Sequence, residues 1–229
     1  MKPVRRSNLA SGSDTESGAV GFVLAGGNSS RMGTDKATVL FAGRPLVACA
    51  VSLLLEAGLA PSIAGARSAL EEFAPVVEDT APGLGPLGGI CSALASTTAD
   101  WAVFIPVDLP LLPASLLAFI VQNARTADAH VTLCSAGGFV QSLPVVLRRD
   151  LLPLLHRELE SGRSGCLSAF KAAAAGLGQS VNVLSVESLV QSGQITDPCR
   201  LPAADWFMNV NASEDLKCAE AVRLKEPVS

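Results

Sequence analysis

The stretch Ala19-Val-Gly-Phe-Val-Leu24-Ala25-Gly26-Gly27-Asn-Ser-Ser-Arg31-Met-Gly-Thr-Asp-Lys36 decides how the chain is read. Its first six residues are a short apolar run without charge, the pattern of a strand buried on both faces. The run stops at Ala25-Gly26-Gly27, and adjacent glycines let a backbone approach a ligand closely and expose its N–H groups. Ser29 and Ser30 add hydroxyl donors, and Arg31 and Lys36 add two positive charges. Amides, glycines and cations at the carboxyl end of a strand make a phosphate cradle. A surface turn with solvated charges is the plainer reading of a bare Gly-Gly, but it gives no reason for the two cations. The loop is neither a Walker A motif, because Gly33 is followed by Thr-Asp-Lys36, nor a GxGxxG fingerprint.

Outward from this loop, strands and helices alternate. Pro45 to Ala57 reads as a helix with Leu46, Cys49, Ala50, Leu53 and Leu54 on one face, opened by Pro45 and closed by Gly58. Ser62–Gly65 and Pro75–Glu78 read as weak strands, and Gly83–Gly89 as a loop before a helix to about Ser96. Trp101–Ile105 is the clearest buried strand and runs into Pro106-Val-Asp108. A helix from Pro113 to Ala124 follows, then strands at Ala129–Cys134 and Leu143–Leu147. Asp150 is expected to cap a helix to about Glu160, and Ser164 or Ser168 starts another to Ala175. Ser180–Val186 reads as a strand, and Asn211 or Ser213 as the cap of a last helix to Leu224. This alternation implies βαβ units, hence an α/β fold with three α/β/α layers around a mostly parallel twisted sheet. In such sheets ligands sit at the carboxyl ends of the strands. Residues 1–18 read as a polar, disordered tail, and 19–226 as one domain.

Composition narrows the class of function. With 49% hydrophobic and 17% charged residues, the 229-residue chain has ample material for a core. A net charge of -4, no Tyr and only 4% aromatic residues argue against a nucleic-acid surface, which needs basic patches and stacking platforms. The mean hydropathy of +0.40 raises the question of a membrane. No apolar run approaches the roughly 20 residues of a span, and no apolar segment follows Lys2, Arg5 and Arg6 as in a secretory signal. The expectation is a soluble, cytoplasmic protein with no membrane partner. The six cysteines form no CxxC pair, and with only His130 and His156 beside them they read as free thiols.

Two more strand ends carry chemistry. Glu78-Asp79 precedes Gly83-Leu-Gly-Pro-Leu-Gly-Gly89, which contains a literal GxGxxG in Gly83, Gly85 and Gly88. Asp108 lies beyond it at the next strand end, about where a ribose-binding acid of a dinucleotide fold would sit. An NAD-binding oxidoreductase is therefore a rival reading. Against it, Asp79-Thr-Ala-Pro82 separates strand from glycines, and the first βα position is held by the other loop. Asp108 has a second use: a carboxylate opposite a phosphate cradle is a hard oxygen ligand for Mg²⁺. Capping of the following helix is the structural alternative.

The motif LAGGxSxRMGxDK, met here by Leu24, Ala25, Gly26, Gly27, Ser29, Arg31, Met32, Gly33, Asp35 and Lys36, resembles the signature of the molybdenum cofactor guanylyltransferases. Cytidylyltransferases acting on the same pterin look similar but more often carry LAAG, so Gly27 tilts the reading towards guanine. The resemblance implies the nucleotide-diphospho-sugar transferase-like fold and transfer of GMP from GTP to the terminal phosphate of molybdopterin. The products would be molybdopterin guanine dinucleotide and pyrophosphate. It further implies nucleotide binding by Leu24, Ala25, Gly26, Gly27, Lys36, Asp79, Gly88 and Asp108, and catalysis by Arg31, Lys36 and Asp108. Asp108 would also hold Mg²⁺. The N-terminal half would bind nucleotide and the C-terminal half the pterin. Phe207-Met-Asn-Val-Asn-Ala-Ser-Glu-Asp-Leu216 resembles the family's closing F-x-N-x-N-T-P-E-D-L, with Ala212-Ser213 in place of Thr-Pro. That places Asn209 and Asn211 near the metal or the pterin, and Arg163 is a further candidate for the pterin phosphate. Partners implied are the two substrates and a cofactor-delivery or molybdoenzyme protein. The chain departs from the family at Ile63-Ala-Gly65, where an Asn is often found, so that contact is missing or made by backbone. A cytidylyl- or sugar-nucleotidyltransferase, or a nucleotide-binding protein without catalysis, remains as an alternative.

Overall fold

The computed structural model describes residues 18–26, 35–65, 68–80, 83–162 and 165–224. Its strands are β1 (Ala19–Leu24), β2 (Leu40–Phe41), β3 (Arg44–Pro45), β4 (Ala60–Ala64), β5 (Val76–Val77), β6 (Trp101–Pro106), β7 (Val131–Ala136), β8 (Phe139–Arg148) and β9 (Asn182–Ser185). Its α-helices are α1 (Leu46–Glu56), α2 (Gly85–Ser96), α3 (Ala114–Thr126), α4 (Leu152–Glu160), α5 (Cys166–Gly176), α6 (Val186–Gln191) and α7 (Ser213–Arg223). The main sheet has the order β5-β4-β1-β6-β8-β7-β9, and β2 pairs separately with β3.

β1 lies parallel to β4 on one side and to β6 on the other. From β1 the chain winds outward through β4 to β5, then returns across β1 to β6. The winding therefore reverses between β1 and β6. The loops leaving two such strands diverge to opposite sides and open a crevice at their carboxyl ends.

Side-chain alternation divides the core into two layers. Val23, Ile63, Val103 and Ile105 face α1, α3, α6 and α7. Phe22, Leu24, Ala64, Ala102 and Phe104 face α2, α4 and α5. Phe22 and Phe104 stack across the β1–β6 pair with ring centroids 5.3 Å apart. Three layers and a mostly parallel sheet agree with the sequence reading.

One strand runs against its neighbours, and three local expectations are corrected. β8 runs antiparallel to both β6 and β7, because Gly137 and Gly138 turn the chain in a two-residue hairpin. Both glycines have positive φ, 59° and 80°, as a type I′ turn requires. The supposed loop Gly83–Gly89 is helical from Gly85 onward. The literal GxGxxG thus follows an edge strand and not the central one, which removes the dinucleotide reading. Asp150 does not cap α4; its carboxylate lies 3.2 Å from Arg148 Nε and 3.4 Å from His130 Nε2. Neither Asn211 nor Ser213 caps α7: the Asp215 carboxylate accepts the N–H groups of Asn211 and Ala212 at 2.9 and 2.8 Å.

All six cysteines are free. Burial pushes the thiols of Cys91 and Cys134 up to about 12 and that of Cys166 up to about 11. They stay protonated and unreactive at pH 8, since the thiolate is the nucleophile. Exposed Cys199 and Cys218 should react with a disulfide reagent in the native protein, whereas Cys91 and Cys134 should react only in denaturant. Counting thiols against time at pH 8 checks this. Phe104→Ala, which empties the centre of the sheet, should lower the unfolding free energy by about 3–5 kcal/mol in urea titration.

Candidate active site

Three strand ends meet along one edge of the sheet. β1 ends in Leu24-Ala25-Gly26, β4 in Ala64-Gly65, and β6 in Pro106-Val107-Asp108. The backbone ties them together: Ala25 N–H donates to Ala64 O at 3.0 Å and Val107 N–H to Leu24 O at 3.3 Å. The Ala25 amide is thereby engaged, which takes it out of the set of donors available to a phosphate. Gly26 is the first exposed residue of the loop. Gly27 and Arg31 lie outside the described residues, as does Arg163.

Gly65 explains why no Asn stands at the end of β4. It has φ +117°, and a Cβ there would come within 2.7 Å of Gly26 N and 2.9 Å of Gly26 Cα. Two glycine backbones touch at this point, so the residues that leave β1 and β4 are in direct contact.

Lys36 opens a 3₁₀ turn, Lys36–Thr38, whose preceding residue Asp35 accepts the Ala37 N–H at 3.2 Å. This turn aims the Lys36 ammonium at two acceptors from distant parts of the chain. Nζ donates to Asp108 Oδ2 at 2.6 Å and to Asn211 Oδ1 at 2.7 Å. The side chains of Lys36 and Asp108 are 19% and 20% exposed, so the pair is half-buried yet reachable. Asn211 is held from behind by the donation of its N–H to Asp215 and by the bond from Val210 N–H to Asp108 O, 2.9 Å. The two sequence candidates Asp108 and Asn211 are therefore brought together on Lys36. Asn209 is exposed and only approaches Phe207 O, at 3.5 Å.

The second oxygen of the carboxylate, Asp108 Oδ1, is buried and meets no hydrogen-bond donor among the described residues. A bare buried carboxylate oxygen at the carboxyl end of a parallel strand suits a hard cation. The described residues contain no group of three or more His, Cys, Asp or Glu able to enclose a metal.

Asp79 stands just past β5, on the side of the crevice formed by α2. Ser92 of α2, 5% exposed, reaches it. Ser92 Oγ lies 3.3 Å from Asp79 Oδ1 and 3.1 Å from Gly88 O, and it accepts the Thr80 N–H at 3.0 Å. Gly88 sits inside α2. Beyond β6, a cleft opens along the same edge between the start of β8 and α5, lined by Val140, Gln141, Ser142, Cys166, Ser168 and Lys171. Sequence reasoning missed Ser92, Lys171 and the role of Gly65. Gly137-Gly138 between apolar runs was a legible hairpin signal that could have placed the β8 end of the cleft.

Residues 21–176 match the family model described as the MobA-like NTP transferase domain. The chain belongs to this family. A molybdenum cofactor guanylyltransferase of Vibrio atlanticus is 30% identical over 198 residues, covering 85% of this chain and 91% of the relative. One from Xanthomonas euvesicatoria is 46% identical over 150 residues, covering 63% of this chain and 74% of the relative. Among solved structures, molybdopterin-guanine dinucleotide biosynthesis protein A from Archaeoglobus fulgidus superposes with a TM-score of 0.68 at 20% identity, covering 88% of this chain and 97% of that one. This likeness places the fold among the nucleotidyltransferases. No described helix is long and apolar enough to cross a membrane.

Gly65→Ala should push the Gly26 backbone off the end of β4. We expect a loss of stability of about 1–3 kcal/mol from the forced φ, together with weaker nucleotide binding. Thermal unfolding with and without GTP reads both effects, and an unchanged nucleotide-induced shift would count against the contact.

Proposed function

We propose that this protein transfers GMP from GTP to the terminal phosphate of molybdopterin, giving molybdopterin guanine dinucleotide and pyrophosphate. The observation that carries this reading is the Lys36–Asp108–Asn211 cluster at the carboxyl ends of β1 and β6, in a chain of this family. A phosphate oxygen of the acceptor forms a bond to the α-phosphorus of GTP. The bond between the α-phosphorus and its bridging oxygen breaks, and pyrophosphate leaves with the electron pair. The attacking group is already an anion, so no side chain need act as nucleophile or general base. What the protein supplies is position and compensating charge, because two anions must be held together against their repulsion.

The Lys36 ammonium neutralises the phosphates, joined by Arg31 from the loop after β1. Gly26 and Gly27 let the backbone approach the phosphates, with Leu24 and Ala25 as the floor. Asp108 would hold Mg²⁺ through Oδ1, and the ion would neutralise charge on the α-phosphate and the leaving pyrophosphate. Asp79, beside Gly88 and α2, takes the guanine edge; a carboxylate accepts from guanine N1–H and N2–H₂ but finds an acceptor at adenine N1. With no Tyr in the chain, base recognition falls to this carboxylate, backbone and aliphatic side chains. The acceptor would approach from the C-terminal half, along Asn209, Asn211, Arg163 and the cleft between β8 and α5. We place the reaction in the cytoplasm, with a delivery or molybdoenzyme protein as the partner for its labile substrate and product.

Asp108→Ala and Lys36→Ala should each lower turnover by about 10²–10³-fold, the scale for losing a group that stabilises transition-state charge. Removal of divalent metal should abolish turnover, and Mg²⁺ should restore it. GTP with Mg²⁺ should raise the melting temperature, and CTP should not. Dinucleotide formation from molybdopterin with each of the four nucleoside triphosphates is the deciding assay. Product from CTP in place of GTP would move the chain to the cytidylyl branch.

A further inference from the structure

We infer that Ser92 is a positioning residue for nucleotide specificity, acting by holding Asp79 and Thr80 at the end of β5 in register with α2. The inference rests on the proposed contact of Asp79 with guanine. β5 is a two-residue strand at the edge of the sheet, paired on one side only. Its ladder ends at Val77, two residues before Asp79. An attachment from the neighbouring helix comes from Ser92, on the second turn of α2 and almost fully buried.

A hydroxyl has one proton and two lone pairs. Ser92 Oγ accepts the Thr80 N–H at 3.0 Å, which fixes the peptide joining Asp79 to Thr80. It also lies 2.9 Å from Thr80 Oγ1, where either oxygen can donate. When the Ser92 proton is not given to Thr80, Gly88 O at 3.1 Å and Asp79 Oδ1 at 3.3 Å both stand within reach of it. These contacts compete for one hydrogen. The backbone contact is therefore the permanent one, and the carboxylate contact is the one that can be exchanged. A base that brings two N–H donors to Asp79 takes over the carboxylate while the Ser92 proton turns to Gly88 O. Ser92 thus keeps Asp79 pointed into the crevice without competing with the ligand.

Ser92 lies in α2 and shares no hydrogen bond with Lys36 or Asp108 among the described residues, so its removal should separate binding from chemistry. Ser92→Ala should raise the KM for GTP about two- to tenfold, the scale of the lost neutral hydrogen bond to the Thr80 N–H, with kcat within about twofold of the parent. The ratio of kcat/KM for GTP over ITP, which lacks the 2-amino group, should fall with it. Ser92→Thr, which keeps the hydroxyl, should restore both. If Ser92→Ala does not fold, Ser92→Cys fills the same space with a weak donor and carries the same expectation. Asp79→Asn should shift KM and the GTP to ITP ratio on its own, and Ser92→Ala should add nothing in that background. If Asp79→Asn leaves both at parental values, the guanine contact fails and the role of Ser92 fails with it. If Asp79→Asn shifts them but Ser92→Ala does not, or the two effects add in full, Asp79 stands and the positioning role of Ser92 is overturned.

Discussion

The register of β1 between its two parallel neighbours is the constraint on which the site depends. Leu24 stands opposite Ala64 on one side and Pro106 on the other, so three strands finish level. That levelness brings Gly26, Gly65 and Asp108 to one edge. A slip of one residue would exchange the two faces of β1, sending Phe22 and Leu24 to the side where Val23 now packs. The stacked Phe22 and Phe104 and the two apolar layers thus fix more than the core. They set the height at which each strand releases its loop.

Charge is then arranged by direction more than by amount. The chain is acidic overall at -4, yet at this strand edge one ammonium is placed among oxygens that define where it points. A half-exposed ion pair adds little to stability. Lys36 and Asp108 are better understood as a geometric device: Asp108 gives one oxygen to the lysine and, among the described residues, keeps the other bare. Asn211 completes the arrangement without adding charge.

Much of this was legible in the sequence for physical reasons. Buried parallel strands need unbroken apolar runs, so Ala19–Leu24 and Trp101–Ile105 announced themselves. The ends of such strands are where ligands bind, so Lys36, Asp79 and Asp108 could be singled out before their distances were known. Other features depended on partners far along the chain. The cap of α7 is Asp215, reaching back to two amides, while Asn211 turns away to Lys36. Asp150 follows the same rule: its carboxylate serves Arg148 and His130 across the sheet and leaves the helix beside it uncapped. Ser92 was unreadable because a serine within an apolar helix gives no sign of the peptide it grips. Gly65 was read as a missing Asn, although what fills its place is the backbone of Gly26.

The contact between Lys36 and Asn211 spans 175 residues. In terms of synthesis, this makes the order of assembly strict. A ribosome adding roughly 5–20 residues per second delivers Lys36 about 9–35 s before Asn211. Until the segment before α7 docks, Lys36 has no fixed direction beyond its pairing with Asp108. Lys36 therefore waits for Asn211 before its ammonium takes the direction seen in the finished fold, and the geometry of this cluster belongs only to a chain synthesised past Asn211.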